Sequence, residues 1–400
     1  MNKTFLNYLR PALVGAFIAA LAACGGGGGG GGSADVGSGT LKLAITDAPS
    51  CGYDKVVVTV QKVRIHKSGD ATGGTGESGW SEIVLGTPKE IDLLDLNNGI
   101  LADLGQTALP AGKYTQMRLV LAANGGNTPT ANYVIPTGSG NTVALTTPSA
   151  QTSGLKLNVN IDIAANQLAD LVLDMDVCRS VKVTTTGSDK YLLRPVVRVI
   201  ARTLTGVSGT VDAAINNGNT TIALQRDGQT VRSTIPAGTG TFLIQPIDAG
   251  TYNLVLTAPG YQTTVIRNVT VGLNTITPIS TPLRPGTSTV GTISGTVTAS
   301  VSPIDADVRA LQALTGGQTI EVIARPVNGN TGAFSYSLPT LGPVVTSYVG
   351  GTATLTFTAD TAVAGVYKLE ALSGSALKTA TPTPSTLTSG GTSTATFAFP

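Results

Sequence analysis

The residues best able to do chemistry are acidic and amide side chains in two neighbouring stretches, 155–163 and 171–178. Strand alternation puts Asp174 and Asp176 on one face of the second stretch, and it puts Asp162 on a polar face of the first. The amide residues on that first face are Asn158 and Asn160. If the two strands form a hairpin, these oxygens converge, and Ca²⁺ with its six to eight oxygen ligands would fit them. The alternative is a solvated polar face, or aspartates that accept hydrogen bonds from loop N–H groups.

The chain has a single histidine and no Gly-x-Ser-x-Gly elbow, which argues against metal-hydrolase and serine-hydrolase chemistry. His66 is the single histidine, so a helical site with two histidine ligands is impossible. It follows Lys62 and Arg64 at alternate positions, which predicts that it faces solvent on a strand. Residues 74–79 match the pattern GxGxxG, but a strand follows them instead of a helix, which predicts a hairpin loop. We therefore expect no catalytic residues.

Aromatic side chains offer a second kind of site. Tyr53, Trp80, Tyr133 and Tyr191 could stack on a carbohydrate ligand. Aromatic residues make up only 4% of the chain, so places in the core or at its rim are the alternative.

The elements that must position these residues are strands. Charged residues make up only 12% of the chain and glycines number 50, a mixture that favours many short strands and tight turns over helices. The stretch 91–104 has helix-like content, but Asn98 and Gly99 break it. An apolar phase switch between Val60 and Val63 predicts a bulge near Gln61. The strands expected in the first 202 residues are 41–45, 56–66, 80–85, 114–121, 155–163, 171–177 and 191–201.

The N-terminus has the pattern of an export signal. Lys3 and Arg10 precede a short apolar stretch, 12–23, which is too short to span a bilayer stably. Residues 21–24 (Leu-Ala-Ala-Cys) match the lipobox, and here the chain resembles a bacterial lipoprotein precursor. The resemblance implies a signal peptide over 1–23 and acyl groups such as palmitate on Cys24. Because Asp does not follow the cysteine, the resemblance also implies attachment to the outer membrane. Whether the domains face the periplasm or the cell surface is left open.

A tether follows the cysteine. Eight consecutive glycines, 25–32, cannot hold a helix or strand. As a Gly-rich coil they span about 15 Å on average. We assign 24–39 to the lipidated cysteine and its tether.

The net charge and the number of cysteines limit the kinds of partner that the protein can have. Removal of Lys3 and Arg10 leaves 23 basic residues against 23 acidic ones, which argues against nucleic acid as a partner. With Cys24 acylated, Cys51 and Cys178 remain in an oxidising compartment, and we expect them to form a disulfide.

Seven stretches of the first domain, 40–202, are distinctive as a set: 46–49, 58–60, 92–96, 109–114, 118–121, 153–156 and 191–195. In these stretches the domain resembles a family of bacterial secreted and lipoprotein domains known only as a domain of unknown function. The resemblance brings no catalytic residues with it.

Two further domains are expected, over 205–284 and 290–400. The landmarks of the first of them are 208–211, 221–224, 240–242, 249–252 and 258–261, and 294–297, 332–334 and 364–367 echo them in the second. These stretches look like carboxypeptidase-regulatory-like, transthyretin-type β-sandwich modules, which are accessory folds without peptidase residues. An Ala-Gly-x-Tyr pattern recurs and ends at Tyr114, Tyr252 and Tyr367. We expect each tyrosine to pack inward with its hydroxyl at the rim.

Together these features predict an all-β chain of tandem antiparallel β-sandwiches, Ig-like or transthyretin-like, behind a signal peptide and a Gly-rich tether. The expected function is non-enzymatic. A lipid anchor would hold the domains at the outer membrane for adhesion, scaffolding or binding of a carbohydrate or protein ligand, with no cofactor except a possible Ca²⁺. The alternative is a glycan-active enzyme or envelope sensor whose site surrounds Asp162, Asp174 and Asp176. Two carboxylates on one strand face point the same way, which does not suit a glycosidase pair.

Overall fold

The computed structural model describes residues 37–47, 52–74, 76–125, 130–184, 191–216, 218–351, 354–374, 376–379 and 386–400. They lie in one compact unit, Val36–Pro400. The expected signal peptide, Cys24, most of the tether and Cys51 lie outside these residues. The described chain is nearly all β, which confirms the expected fold class. Its helical elements are α1 (Val177–Ser180) and the 3-10 turns Leu93–Asp95, Ala213–Ile215 and Thr361–Val363.

The first sandwich encloses a core from Leu41 to Leu193. Its strands are β1 (Ser38–Asp47), β2 (Tyr53–His66), β3 (Ser81–Asp92), β4 (Ala102–Pro110), β5 (Gly112–Leu121), β6 (Tyr133–Pro136), β7 (Val143–Thr146), β8 (Leu155–Ile163), β9 (Leu168–Met175), β10 (Val181–Val183), β11 (Tyr191–Leu193) and β12 (Val197–Ala201). One sheet has the order β12-β9-β1-β4. The other is eight-stranded, in the order β10-β11-β7-β6-β2-β5-β8, with β3 also paired to β2.

Local sequence pattern sets the local structure of β2 and β8. Every odd-numbered residue of β8 from Leu155 to Ile163 is buried and every even-numbered one is exposed, as period-two alternation requires. The register of β2 against both β3 and β5 shifts between Val60 and Lys62, which confirms the bulge expected near Gln61.

The hairpin considered for β8 and β9 does not form. β8 pairs with β5 in the eight-stranded sheet, whereas β9 pairs with β1 and β12 in the other sheet. Each strand has an apolar face that must reach the same core, and the chain meets this need by crossing from one sheet to the other. The polar faces of the two strands therefore point to opposite sides of the sandwich.

The second sandwich has its own core, from Val207 to Leu283 with Leu355. Its strands are β13 (Gly206–Thr210), β14 (Thr221–Arg226), β15 (Gln229–Thr234), β16 (Thr241–Ile244), β17 (Gly250–Thr257), β18 (Thr264–Val271) and β19 (Ile276–Pro278). The small sheet has the order β16-β13-β19, and the large one begins β15-β14-β17-β18.

The third core runs from Ile293 to Phe399. Its strands are β20 (Val290–Thr298), β21 (Asp307–Ala313), β22 (Thr319–Pro326), β23 (Ala333–Pro339), β26 (Lys368–Ser373), β27 (Ala376–Thr379) and β28 (Thr392–Ala398). They form the sheets β23-β20-β28 and β22-β21-β26-β27. The strands between, β24 (Val344–Ser347) and β25 (Thr358–Ala359), instead extend the large sheet of the second sandwich. Most pairs are antiparallel, but each sandwich also has a parallel one, such as β1 with β9.

The three repeated tyrosines are buried, as expected. The Tyr114 hydroxyl donates to the Pro110 carbonyl at 2.9 Å, and the Tyr252 hydroxyl donates to the Asp248 carbonyl at 2.8 Å, four residues upstream in both cases. The Tyr367 hydroxyl instead donates to the Pro339 carbonyl on a distant strand. Tyr114 and Tyr252 therefore share one local hydrogen-bonding structure, whereas Tyr367 is buried in a different one.

Candidate functional site

The three predicted acidic residues occupy three different environments. Asp162 is exposed on the outer face of β8. Asp174 is buried on the opposite sheet, and Asp176 begins α1. Within the described parts of the chain, no three histidine, cysteine or acidic residues are grouped as metal ligands would be. The convergence of Asp162 with Asp174 and Asp176 is therefore wrong, because β8 and β9 lie in different sheets.

Asp174 joins the first sandwich to the second. Its Oδ1 lies 2.7 Å from Nη1 of Arg232, a residue of β15, and both side chains are buried. Nη2 of Arg232 also donates to the Thr46 hydroxyl at 3.0 Å. Burial raises the pKa of Asp174, and the charge of Arg232 opposes that rise. Removal of either partner would leave a buried group without its counterpart.

Asp176 caps α1. Its side chain accepts a hydrogen bond from the backbone N–H of Arg179 at 3.1 Å, the usual role of an aspartate at this position. Burial raises the pKa of Asp176 to about 6, while Arg179 opposes the rise and Asp174 and Glu321 add to it. Among the ion pairs of the described residues, none includes Asp176.

Asp176 lines two adjoining cavities where the three sandwiches meet. The larger cavity has a volume of about 370 Å³ and the smaller about 170 Å³. Both are lined by Asp176, Arg179, Thr230, Glu321 and Ala324, so we treat them as one feature, the junction groove. Hydroxyl groups line the larger cavity, on Thr221, Thr230, Thr257, Ser335 and Ser337.

One wall of the junction groove is formed by edge strands. β22 and β23 each end their sheets, so one backbone edge of each strand is unpaired in its sheet. At one point on β22 a side chain takes the place of a neighbouring strand. The Gln225 amide donates to the Glu321 carbonyl at 2.7 Å and accepts from the Glu321 N–H at 2.8 Å. The edge of β22 is thus able to bind an amide group in the manner of a peptide.

Charged contacts fix the groove's walls. Nε and Nη2 of Arg179 both donate to Oδ2 of Asp307 at 3.2 Å. Nζ of the buried Lys182 donates to Oδ1 of the same carboxylate at 2.7 Å. Asp307 begins β21, so these contacts join the first sandwich to the third. Sequence analysis missed them, because the partners are more than 120 residues apart and no local pattern links them.

The predicted Gly-rich loop is a hairpin loop, and it covers polar side chains on the eight-stranded sheet. Arg64 donates to the Gly73 carbonyl at 2.7 Å. Arg118 donates to the carbonyls of Ala71 and Thr72 at 3.1 and 2.9 Å. Both arginines are buried, and their guanidinium carbons lie 4.6 and 5.6 Å from the centre of the Trp80 ring. Alternation alone predicts solvent on this face, but the loop excludes it.

His66 belongs to the same loop structure. Its Nδ1 accepts from the Ser68 N–H at 2.9 Å, which assigns the proton to Nε2, 3.3 Å from the Ser78 carbonyl. Its ring lies 5.0 Å from that of Trp80. The side chain is half-buried and holds the loop ends together, so the expected solvent-facing position is only partly met.

The remaining aromatic residues are mostly engaged in internal contacts. Tyr53 is buried and packs edge-to-face against Tyr191, with ring centres 5.8 Å apart. Tyr133 is half-buried on β6.

Cys178 lies in α1, and since Cys51 is outside the described residues the disulfide stays a prediction. No helix in the described parts of the chain is long and apolar enough to cross a membrane.

Comparison with known proteins supports one of the resemblances. Residues 38–195 match the family model of a domain of unknown function (DUF4382). This confirms the resemblance found for the first domain, and it assigns no activity. No curated protein matches the sequence.

The solved structures that match this chain are only weakly similar to it. The Bacillus anthracis TIE protein is 12% identical, with 91% of this chain and 50% of that one covered and a TM-score of 0.16. The chain thus spans about half the length of that protein. The Streptococcal ancillary pilin is 11% identical, with 90% and 99% covered and a TM-score of 0.16. BcpA, the major pilin subunit of Bacillus cereus, is also 11% identical, with 90% and 99% covered and a TM-score of 0.12.

Proposed function

We propose that this protein is a non-enzymatic outer-membrane lipoprotein, anchored through Cys24, that presents joined β-sandwiches for adhesion, scaffolding or ligand binding. The observation that carries the proposal is the set of charged contacts that joins three cores in one compact unit. A display protein benefits from domains held in a fixed relation, because a preorganised surface loses less entropy on binding.

Buried contacts hold this arrangement. Arg232 reaches from the second sandwich to Asp174 and Thr46 of the first. Arg179 and Lys182 reach from the first sandwich to Asp307 of the third. A Cys51–Cys178 disulfide, which we include in the proposal, would secure α1 beside these contacts and close a long loop. Such a loop contributes about 4–5 kcal/mol in the chain-entropy account.

The anchor is tested by metabolic labelling with an alkyne analogue of palmitate. We expect label on the wild-type protein and recovery in the outer-membrane fraction. Cys24→Ser should abolish the label and release the protein from membranes, whereas Gly25→Asp should keep the label and move the protein to the inner membrane. Labelling that survives in Cys24→Ser would overturn the assigned anchor.

The display role is tested by protease treatment of intact cells and of cells with a permeabilised outer membrane. Digestion in intact cells supports presentation of the sandwiches on the cell surface. Protection until permeabilisation would exclude adhesion and leave a periplasmic scaffold. A periplasmic marker protein reports whether the intact cells stayed closed.

A further inference from the structure

We propose that the junction groove binds short extended peptides, holding the ammonium end at Asp176 and the carboxylate end at Arg325. This site goes beyond the display role and does not depend on the lipid anchor. The groove has a volume in the range of small-ligand pockets, about 370 Å³ in its larger part.

Two of the charged side chains that line the groove have no ion-pair partner among the residues that the structure describes. These side chains are Asp176 and Arg325. Arg179, by contrast, is paired with Asp307, and Arg309 is paired with Glu370 at 2.5 Å and with Glu321 at 3.6 Å. Asp176 is half-buried, and a carboxylate partly withdrawn from water without an ion-pair partner is costly. A ligand that supplies an ammonium group at Asp176 would offset that cost.

The charges are spaced along β22 by about the length of a short peptide. Glu321, whose charge acts on Asp176, and Arg325 lie four residues apart, which places their Cα atoms about 10–13 Å apart after allowance for the bulge at Val322. The register puts the Glu321 and Arg325 side chains on opposite faces of this edge strand, so the ligand's ends meet Asp176 and Arg325. An extended peptide of three or four residues has about the same length. A ligand with one charge, or with both charges at one end, would leave part of this pairing unused.

The edge of β22 offers backbone groups to a ligand. The Gln225 amide already pairs with both backbone groups of Glu321 as a neighbouring strand would. Peptide groups of an extended ligand can use the same edge beyond that point, the mode in which peptides add to open sheets. The hydroxyls of Ser335 and Ser337 on the facing edge strand supply further donors and acceptors.

The experiment is isothermal titration calorimetry of the purified protein with trialanine, which tests recognition through the chain ends and backbone. We expect binding of trialanine, and binding at least tenfold weaker for N-acetyl-trialanine amide, which has no terminal charges. Absence of binding at millimolar trialanine, or equal affinity for both peptides, would overturn the proposal.

Variants locate the site. Asp176→Asn keeps a residue that also caps helices, and Arg325→Gln alters an exposed side chain, so both should fold. Each should weaken trialanine binding at least tenfold. The matched controls Asp103→Asn and Arg284→Gln remove exposed charges elsewhere and should leave it unchanged. Unchanged trialanine binding in both groove variants would mean that the peptide binds outside the junction groove, which would overturn the proposal.

A pH series gives an independent readout. Burial raises the pKa of Asp176 to about 6, and the charged groups that act on its carboxyl are Arg179, Asp174 and Glu321. The carboxyl of Asp176 is therefore mostly protonated at pH 5, and trialanine affinity should fall about tenfold between pH 7.5 and pH 5. Asp176→Asn should remove this dependence. A wild-type affinity that is flat over this range would contradict an ammonium contact at Asp176.

Discussion

The Gly-rich loop around Trp80 and the junction groove both gather charged side chains, but the two regions partner those charges differently. In the loop, Arg64 and Arg118 lie over an aromatic ring and donate to backbone carbonyls. In the groove, Asp176 and Arg325 line a cavity without an ion-pair partner among the described residues. Charges that the chain itself partners stabilise the fold, whereas charges left facing a cavity are available to a ligand.

The strongest way to test this distinction is to break a partnered charge. Arg232→Met leaves the Asp174 carboxylate buried and unpaired, and we expect the free energy of unfolding to fall by about 3–5 kcal/mol. The double variant Asp174→Leu/Arg232→Met should recover most of that loss, because no charge is stranded. Chemical denaturation at pH 7 measures both.

The matched control for that experiment comes from the groove. Arg325→Gln removes a cation that the fold leaves unpaired, so its effect on the free energy of unfolding should stay within about 0.5 kcal/mol. Equal losses in Arg232→Met and Arg325→Gln would show that the two kinds of charge do not differ.

Removal of the Asp176 carboxylate should raise the free energy of unfolding, whereas Arg232→Met should lower it. Burial raises the pKa of Asp176 from 3.8 to about 6, so the folded state holds a proton that the unfolded state releases between these values. The resulting destabilisation is complete above pH 6 and is relieved as pH falls through that value. Asp176→Asn should therefore raise the free energy of unfolding by about 1–3 kcal/mol at pH 7.5.

At pH 4 the same variant should match the wild type, because Asp176 is then neutral in the folded protein. Paired denaturation curves at the two pH values isolate this difference. A variant less stable than the wild type at pH 7.5 would mean that the Asp176 charge supports the fold, and the groove would then resemble the loop.

The sequence pattern predicts the fold and the candidate site only where a feature depends on neighbouring residues in the chain. Alternation placed every side chain of β8 correctly, and a phase switch located the bulge at Gln61. Alternation says which face of a strand is polar, but it does not say which sheet the strand joins, so Asp162 was wrongly grouped with Asp174. The partners of Asp174 and Arg179 lie in other sandwiches, and no spacing rule reaches them.

Coverage by a loop is equally hard to predict. Lys62, Arg64 and His66 alternate as on a solvated strand, yet Arg64 is buried because residues 67–74 and 76–80 fold back over it. The short strand β24 has no pattern that assigns it to the second sandwich instead of the third. In both cases tertiary contacts decide what the local sequence leaves open.

The smallest expected effect concerns the loop itself, and the single tryptophan, Trp80, reports it. Hydrogen bonds from the Thr72 side chain, and then from the Thr72 and Gly73 backbone, lower the pKa of Glu77 to about 2. The stability that Glu77 adds to the loop is present above pH 4.5 and is lost as pH falls through about 2. Glu77→Gln should therefore expose the indole at neutral pH, with little change in global unfolding.

The readout is a red-shifted Trp80 emission with stronger quenching by acrylamide, which the wild type should reproduce between pH 4.5 and pH 2. Glu90→Gln, which removes an exposed carboxylate on β3, is the matched control and should leave the emission unchanged. If the indole of Glu77→Gln stays as shielded as before, the arginine contacts alone hold the loop. The difference between loop and groove would then rest on the two guanidinium groups over Trp80, without a contribution from the carboxylate beside them.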